Sequence, residues 1–160
     1  MTISINLRQI NAKDQLELKK VYFKSIMSIE NTIYSEEQKI AWSSQAWESP
    51  IIGKYLKEGK GWLIENEKEV VSFAVRYPDN RLALLYCKKE FSRQGFGNKL
   101  INRIEIDAIN ERINKIETEA SLLSYKLLMK RNWVIACKEN IIINNTFFER
   151  YKMIKYFNNL

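Results

Sequence analysis

The sequence predicts a single α+β domain spanning residues 1–160, with a central, mostly antiparallel mixed sheet of about six to seven strands flanked by about four helices. Three observations predict it. Helical and strand periods alternate along the 160 residues with no linker, internal repeat or low-complexity block. Hydrophobic residues make up 46% of the chain, and this length suits one shared core. The periods run β-α-α-β-β-β-α-β-α-β-β, which sets strands next to strands and so favours antiparallel pairing over a helix between every pair.

Taken in order, "SINLRQI" (Ser4 to Ile10) alternates apolar and polar residues, as a half-buried strand does. From about Ala12 to Met27, Leu16, Val21, Tyr22 and Ile26 fall near helical spacing, with Asp14 close to the start for a cap. In "YSEEQKIAW", Ser35 followed by Gln38 fits the capping box, so a helix starts at Ser35. "GWLIENEKEVVSFAVRYP" reads as a hairpin about the polar turn Asn66-Glu67-Lys68, and "RLALLYCK" as a third adjacent strand after Pro78-Asp79-Asn80. Leu100, Ile101, Ile104 and Ala108 line one face of a helix reaching about Glu111. "INKIETEAS" returns to strand, "LLSYKLLMKRN" to helix, and "WVIACKENIIINNTFFERYKMIKYF" closes the chain as two strands about a polar turn. That last apolar hairpin is either an ordinary closing element or the edge of a homodimer.

Composition narrows the function. No run approaches the roughly 20 apolar residues of a membrane span, and "MTISINLRQI" lacks a signal-peptide layout, so the expectation is a soluble, cytoplasmic protein with no membrane partner. Cys87 and Cys137 each sit in an apolar strand-like run without metal-type spacing, and both are expected to be reduced core thiols. The chain has no histidine, which removes the commonest general base and the commonest metal ligand together; no metal site is expected. The net charge of +7 lies wholly in the second half, where 15 Lys and Arg face 8 Asp and Glu, against 11 and 11 in residues 1–80. An anionic partner of that half is expected: nucleic acid, a phosphorylated cofactor, or simply solvent.

The stretch "FSRQGFGNKL" carries two of the five glycines, Gly95 and Gly97, between a strand and a helix. Such a pair lets backbone N–H groups face outward, and the helix adds the positive end of its dipole, making an anion cradle. The alternative is a bare tight turn. With the preceding "LLYCKKEF", the following "IETEAS" and the closing "RYKMIKYF", the loop and the element order resemble the GNAT superfamily of acyl-CoA N-acyltransferases. The resemblance covers essentially the whole chain and implies a GNAT-like fold. It implies that backbone groups of Arg93, Gln94, Gly95, Phe96, Gly97 and Asn98 hold the pyrophosphate of acetyl-CoA, while Tyr86 and Cys87 pair with its pantetheine arm and Ser121 assists. Arg93, Lys88, Lys89 and Lys99 are the nearest positive charges.

The sequence also departs from that family. Ser92 stands where the loop usually begins with Gln or Arg. Leu128 occupies the position of the frequent general-acid tyrosine, and Ala83 that of the frequent strand carboxylate. Tyr125 and Glu119 are the candidate replacements, Tyr125 alternatively being a core or groove aromatic and Glu119 a solvated strand-face residue. The implied activity is transfer of an acetyl group to a primary amine of a small molecule or peptide by direct attack. Two other readings stay open: a catalytically degenerate acyl-CoA-binding module, and a nucleic-acid-binding domain for which no specific motif speaks. The acceptor region offers Tyr34, Trp42, Trp47, Trp62, Tyr77 and Phe147, with Glu36 and Glu37 near by.

Overall fold

A computed structural model describes residues 4–158. Strands β1 (Ile5–Gln9), β2 (Lys60–Asn66), β3 (Glu69–Arg76), β4 (Arg81–Cys87), β5 (Lys115–Ala120), β6 (Val134–Ile143) and β7 (Thr146–Tyr156) form one sheet in the order β1-β2-β3-β4-β5-β7-β6. Every neighbouring pair is antiparallel except β4 with β5. Helices α1 (Gln15–Met27), α2 (Glu36–Ser43), the single turn α3 (Gln45–Glu48), α4 (Pro50–Glu58), α5 (Phe96–Asn110) and α6 (Ser124–Lys130) complete the α+β fold. Among the described residues the expected six to seven strands are seven. The expected four helices are exceeded because residues 45–58 add α3 and α4.

Local chemistry explains the element ends. Ser35 and Gln38 form the capping box at α2, each side chain taking the other residue's backbone N–H. At α4, Ser49 accepts from the Ile52 N–H and Pro50 occupies the first helical position, where a missing N–H costs nothing. The β2–β3 hairpin turns through Glu67 and Lys68 and the β6–β7 hairpin through Asn144 and Asn145, all four at positive φ. Two consecutive left-handed residues give the turn whose twist matches that of the strands.

The sheet is buried on both faces over its centre, and every residue of β3 after Glu69 is buried. One face packs Leu100, Ile101, Ile104 and Ala108 of α5 against Val71, Leu82, Ile116 and Met153. The other packs Leu18, Val21, Tyr22 and Ile26 of α1 and Leu56 of α4 against Leu63, Phe73 and Leu84. Each such side chain withdrawn from water stabilises the fold by about 1.5–3 kcal/mol. Cover ends before β6, an edge strand whose first five residues are exposed. Cys137 is therefore exposed, not a core thiol as its apolar neighbours in sequence suggest, whereas Cys87 is half-buried against the α5 core.

Glu105 ties these layers together. From α5 its carboxylate accepts from Trp133 Nε1 at 3.0 Å and Arg131 at 2.7 Å and lies 3.2 Å from Lys155 Nζ on β7. Burial alone would push this carboxyl up, but the hydrogen bonds from Arg131 and Trp133 and the cationic charge outweigh it and hold it below the usual range. A folded-state value below the unfolded one, near ~4.3, means the stabilisation is complete above that pH and lost as pH falls through the folded value. Glu105→Gln is expected to lower stability at pH 7 by about 2–3 kcal/mol, less than a fully buried pair because Arg131 and Lys155 keep a wet edge. Thermal melts across pH check this: the gap between parent and variant should close below about pH 4.

Candidate active site

The two halves of the sheet meet at a single short ladder. β4 and β5 pair only at Arg81↔Glu117 and Leu82↔Thr118, backed by a 2.7 Å bond from the Thr118 hydroxyl to the Leu82 carbonyl. Beyond it the strands diverge, because each keeps its other neighbour: β5 pairs with β7 along its whole length, and the Lys88 N–H still bonds the Val71 carbonyl of β3. A register shift on β4 leaves Ala83 as an extra residue at the point of divergence. The result is a groove of about 670 Å³ lined by Leu82–Cys87 on one side and Thr118, Glu119 and Ser121 on the other.

Alternation fixes which backbone groups face it. Lys88 N–H points to β3, and the Tyr86 carbonyl is taken by the Ser72 hydroxyl of β3 at 2.8 Å. Residues one step out of phase, Leu85 and Cys87, therefore turn their N–H and C=O groups to the groove. Tyr86 contributes its ring instead, stacked among Tyr22, Phe73 and Trp42. Burial drives the phenols of Tyr22 and Tyr86 far above their ordinary range, so both stay neutral.

The loop 88–98 closes the mouth. Lys88, counted in the sequence among the charges near the loop, is buried and ion-paired to Glu69, so it is committed to the fold. Ser92 donates to the Lys89 carbonyl and Gln94 reaches the Glu90 carbonyl, so both side chains fold back on the loop. Arg93 and Gly95 adopt φ of 60° and 81°, a reversal that brings the chain into α5 with Phe96 plugged into the core. The first α5 bond runs from the Lys99 N–H to the Gly95 carbonyl, which leaves the N–H groups of Phe96, Gly97 and Asn98 without a helical partner. The glycines differ in purpose: Gly95 serves its left-handed φ, with nothing within 4 Å of an added Cβ, whereas a Cβ on Gly97 would meet Leu127 of α6 at 2.9 Å. Exposed Lys89 and Arg93 stand on the groove wall.

A second cavity of about 260 Å³ opens on the α1 side and shares Trp42, Ala83, Leu84, Tyr86, Glu119 and Ser121 with the groove. Those shared residues mark where two ligands can meet. Glu119 lies there in an ion pair with Arg81, Nε to Oε2 at 2.8 Å. Ser121 accepts from the N–H groups of Leu123 and Ser124 and so holds the turn that leads into α6. Tyr34 accepts from the Leu122 N–H at 2.9 Å, and burial pushes its phenol up. Tyr125 is placed elsewhere: it stacks on Tyr151 with centroids 4.6 Å apart and does not line the groove, whereas Leu128 does. Of the aromatics expected around an acceptor, Tyr34 and Trp42 line the second cavity. Trp62 instead donates to Asp107 on the α5 face, Tyr77 stacks on Tyr55, and Trp47 and Phe147 are exposed. Tyr22, Tyr55, Phe148 and Arg81 line the cavity without having been singled out in the sequence. Their strand or helix parity was readable, but not which face of the sheet lay open.

The two thiols report on this geometry. Burial, opposed by Ser72, pushes the Cys87 thiol up, while Cys137 is open to solvent. Labelling with an aromatic disulfide should give a fast phase and a slow phase; Cys137→Ser is expected to remove the fast one and Cys87→Ser the slow one. A single rate for both thiols would contradict the placement of Cys87.

Comparison with known proteins agrees with this geometry. The acetyltransferase (GNAT) domain family model matches residues 30–141. Comparison with curated proteins gives no significant match. Among solved structures, a GCN5-related N-acetyltransferase described as "Aminotransferase, Class-II" from Rhodopseudomonas palustris superposes with a TM-score of 0.89 at 23% identity, covering 98% of this chain and 99% of that one. The PaiA N-acetyltransferase of Thermoplasma acidophilum, solved with coenzyme A, gives 0.73 at 16% identity over 97% and 100%. Naa50 of Arabidopsis thaliana, solved with the bisubstrate analogue CoA-Ac-MVNAL, gives 0.68 at 14% identity over 97% and 100%. With the family model spanning most of the chain, the protein belongs to the GNAT acetyltransferase family.

Proposed function

We propose that residues 1–160 act as one acetyltransferase domain that moves an acetyl group from acetyl-CoA to a primary amine of a small molecule or peptide. One observation carries the reading: β4 and β5 part after two residue pairs and open a groove that ends on the unpartnered N–H groups of α5. The groove fits a ligand that is extended and hydrogen-bonding along its length and anionic at its end. Leu85 and Cys87 would pair with the pantetheine amides as a strand edge does, and Phe96, Gly97 and Asn98 would hold the pyrophosphate by backbone N–H at the positive end of α5. Lys89 and Arg93 add positive charge beside it and raise the encounter rate. The solved complexes of PaiA with coenzyme A and of Naa50 with a coenzyme A bisubstrate analogue support the same choice of ligand.

Acetyl-CoA supplies an activated thioester; the chain supplies position. Ala83 leaves room at the divergence, and Glu119 from the opposite strand offers a carboxylate to an ammonium there. Holding amine and thioester together lowers the reaction barrier by up to about 7–11 kcal/mol, so a weak set of proton-transfer groups does not forbid turnover. The catalytically degenerate module is the reading left if the amine never reacts.

Calorimetry with acetyl-CoA tests the site. The parent is expected to bind with micromolar affinity, and Gly95→Glu, which sets a like charge against the phosphates, to lose about a hundredfold or more. Gly95→Ala is the control: it carries the same left-handed strain, about 1–2 kcal/mol, without the charge, and should bind nearly as the parent does. Acetyl-CoA should also slow the labelling of Cys87 and leave Cys137 untouched. A folded parent that binds no acetyl-CoA overturns the reading.

A further inference from the structure

Resting on that reading, the second cavity narrows the class of acceptor. Its floor holds Arg81 of β4 and Glu119 of β5, with side chains 25% and 22% exposed, joined by the single bond from Nε to Oε2. Nη1 of Arg81 is occupied by the Tyr55 hydroxyl at 3.1 Å and the Tyr77 carbonyl at 3.3 Å. Among the described residues, Nη2 of Arg81 and Oε1 of Glu119 carry no hydrogen bond. One donor and one acceptor of full charge thus stand side by side in a cavity. The other charged residues of its wall are engaged elsewhere, Glu149 with Lys138 and Arg150 with Glu139.

A simple amine brought to Glu119 would set a second cation beside Arg81 with one carboxylate shared between them. A ligand bearing an ammonium and a carboxylate on the same carbon satisfies both. Apart from Gln45, Ser49 and Ser121 the rest of the wall is apolar, with Tyr34, Trp42 and Phe148 among aliphatic neighbours, and the volume of about 260 Å³ falls below the roughly 300–1,000 Å³ of drug-sized sites. We propose that the acceptor is a free α-amino acid with a bulky apolar side chain, its ammonium on Glu119, its carboxylate on Nη2 of Arg81 and its side chain among Tyr34, Trp42 and Phe148. Glu119 borders both cavities, so the nitrogen it holds is the one that meets the donor groove. In the transfer, nitrogen bonds to the acetyl carbon as the carbon–sulfur bond breaks. The ammonium gives up two protons in all, one ending on the departing thiol and one in solvent. A peptide amino terminus presents an amide where the carboxylate should be, so it leaves Arg81 with a neutral partner.

The test compares L-phenylalanine, L-phenylalaninamide and 2-phenylethylamine as acceptors, and titrates the same three into protein saturated with coenzyme A, where no turnover occurs. A hydrogen bond to a charged group is worth roughly ten- to a hundredfold, so the amino acid should exceed both analogues by about that factor in kcat/KM and in affinity. Arg81→Gln should raise KM for phenylalanine by a similar factor and lower it for 2-phenylethylamine, whose ammonium no longer meets the guanidinium. Equal use of the three by the parent, preference for the amide, or an equal loss of all three in Arg81→Gln overturns the assignment while the acetyltransferase reading stands. Failure to bind acetyl-CoA at all removes both.

Discussion

The parting of β4 from β5 is the constraint on which the rest of the molecule depends. Backbone groups on two facing strand edges cost free energy when left unpaired and dry, so a continuous sheet closes such a gap unless something holds it open. Here each strand is held by its far neighbour, β4 by β3 and β5 by β7. The gap also needs a brace across it, since only two residue pairs join the halves. That brace is α5, whose inner face packs on residues from both sides and whose Glu105 reaches the start of β6 and the body of β7. The same helix must begin at the mouth of the gap, because the loop leaving β4 is only eight residues long, from Lys88 to Gly95. Bracing the gap and aiming free N–H groups at its end are therefore two results of one placement.

The positive charge of the second half looks different once ion pairs are assigned. Lys88 is spent on Glu69, Arg131 and Lys155 on Glu105, Arg150 on Glu139, Lys115 on Glu117 and Lys138 on Glu149. Lys89, Arg93, Lys99, Arg112, Lys126 and Lys130 carry no ion pair among the described residues, and of these Lys89 and Arg93 stand on the loop that closes the groove. Part of the surplus thus stands at one mouth, where it suits a compact polyanion such as a pyrophosphate.

Much of this was legible in the chain. Capping at Ser35 and Gln38, the Asn66–Lys68 turn and the apolar face of α5 are local signals, set by a few neighbouring residues, and each stands where the sequence places it. The missed helices at 45–58 had a local signal too, Ser49 before Pro50, masked by Gly53 and by the run of small polar residues ahead of it. What the sequence could not carry was the sheet order. Cys137 reads as core because β6 is apolar, yet β6 is an edge strand; Tyr125 shares a helix face with Leu128 in the sequence, which allows a hydroxyl aimed at the sulfur or a core or groove aromatic, and the packing sets it on Tyr151 against the α5 core. Parity assigns a side chain to one of two faces, and only the packing of distant elements decides which face is open.

Ala83, where the family resemblance implies a strand carboxylate, illustrates what the divergence permits. In a closed parallel ladder, residues of β4 and β5 at this level would be locked neighbours and a change on one strand could not be answered from the other without a clash. With the strands apart, the space in front of Ala83 is bordered by β5, and Glu119 enters it paired to Arg81 through one carboxylate oxygen. Its other oxygen is left to accept from an ammonium. In the proposed reaction the pair serves to hold the nitrogen in line. Charge selection then follows from the pair itself, because the arginine bonded to Glu119 is also the group a bare cation must avoid and a zwitterion can use.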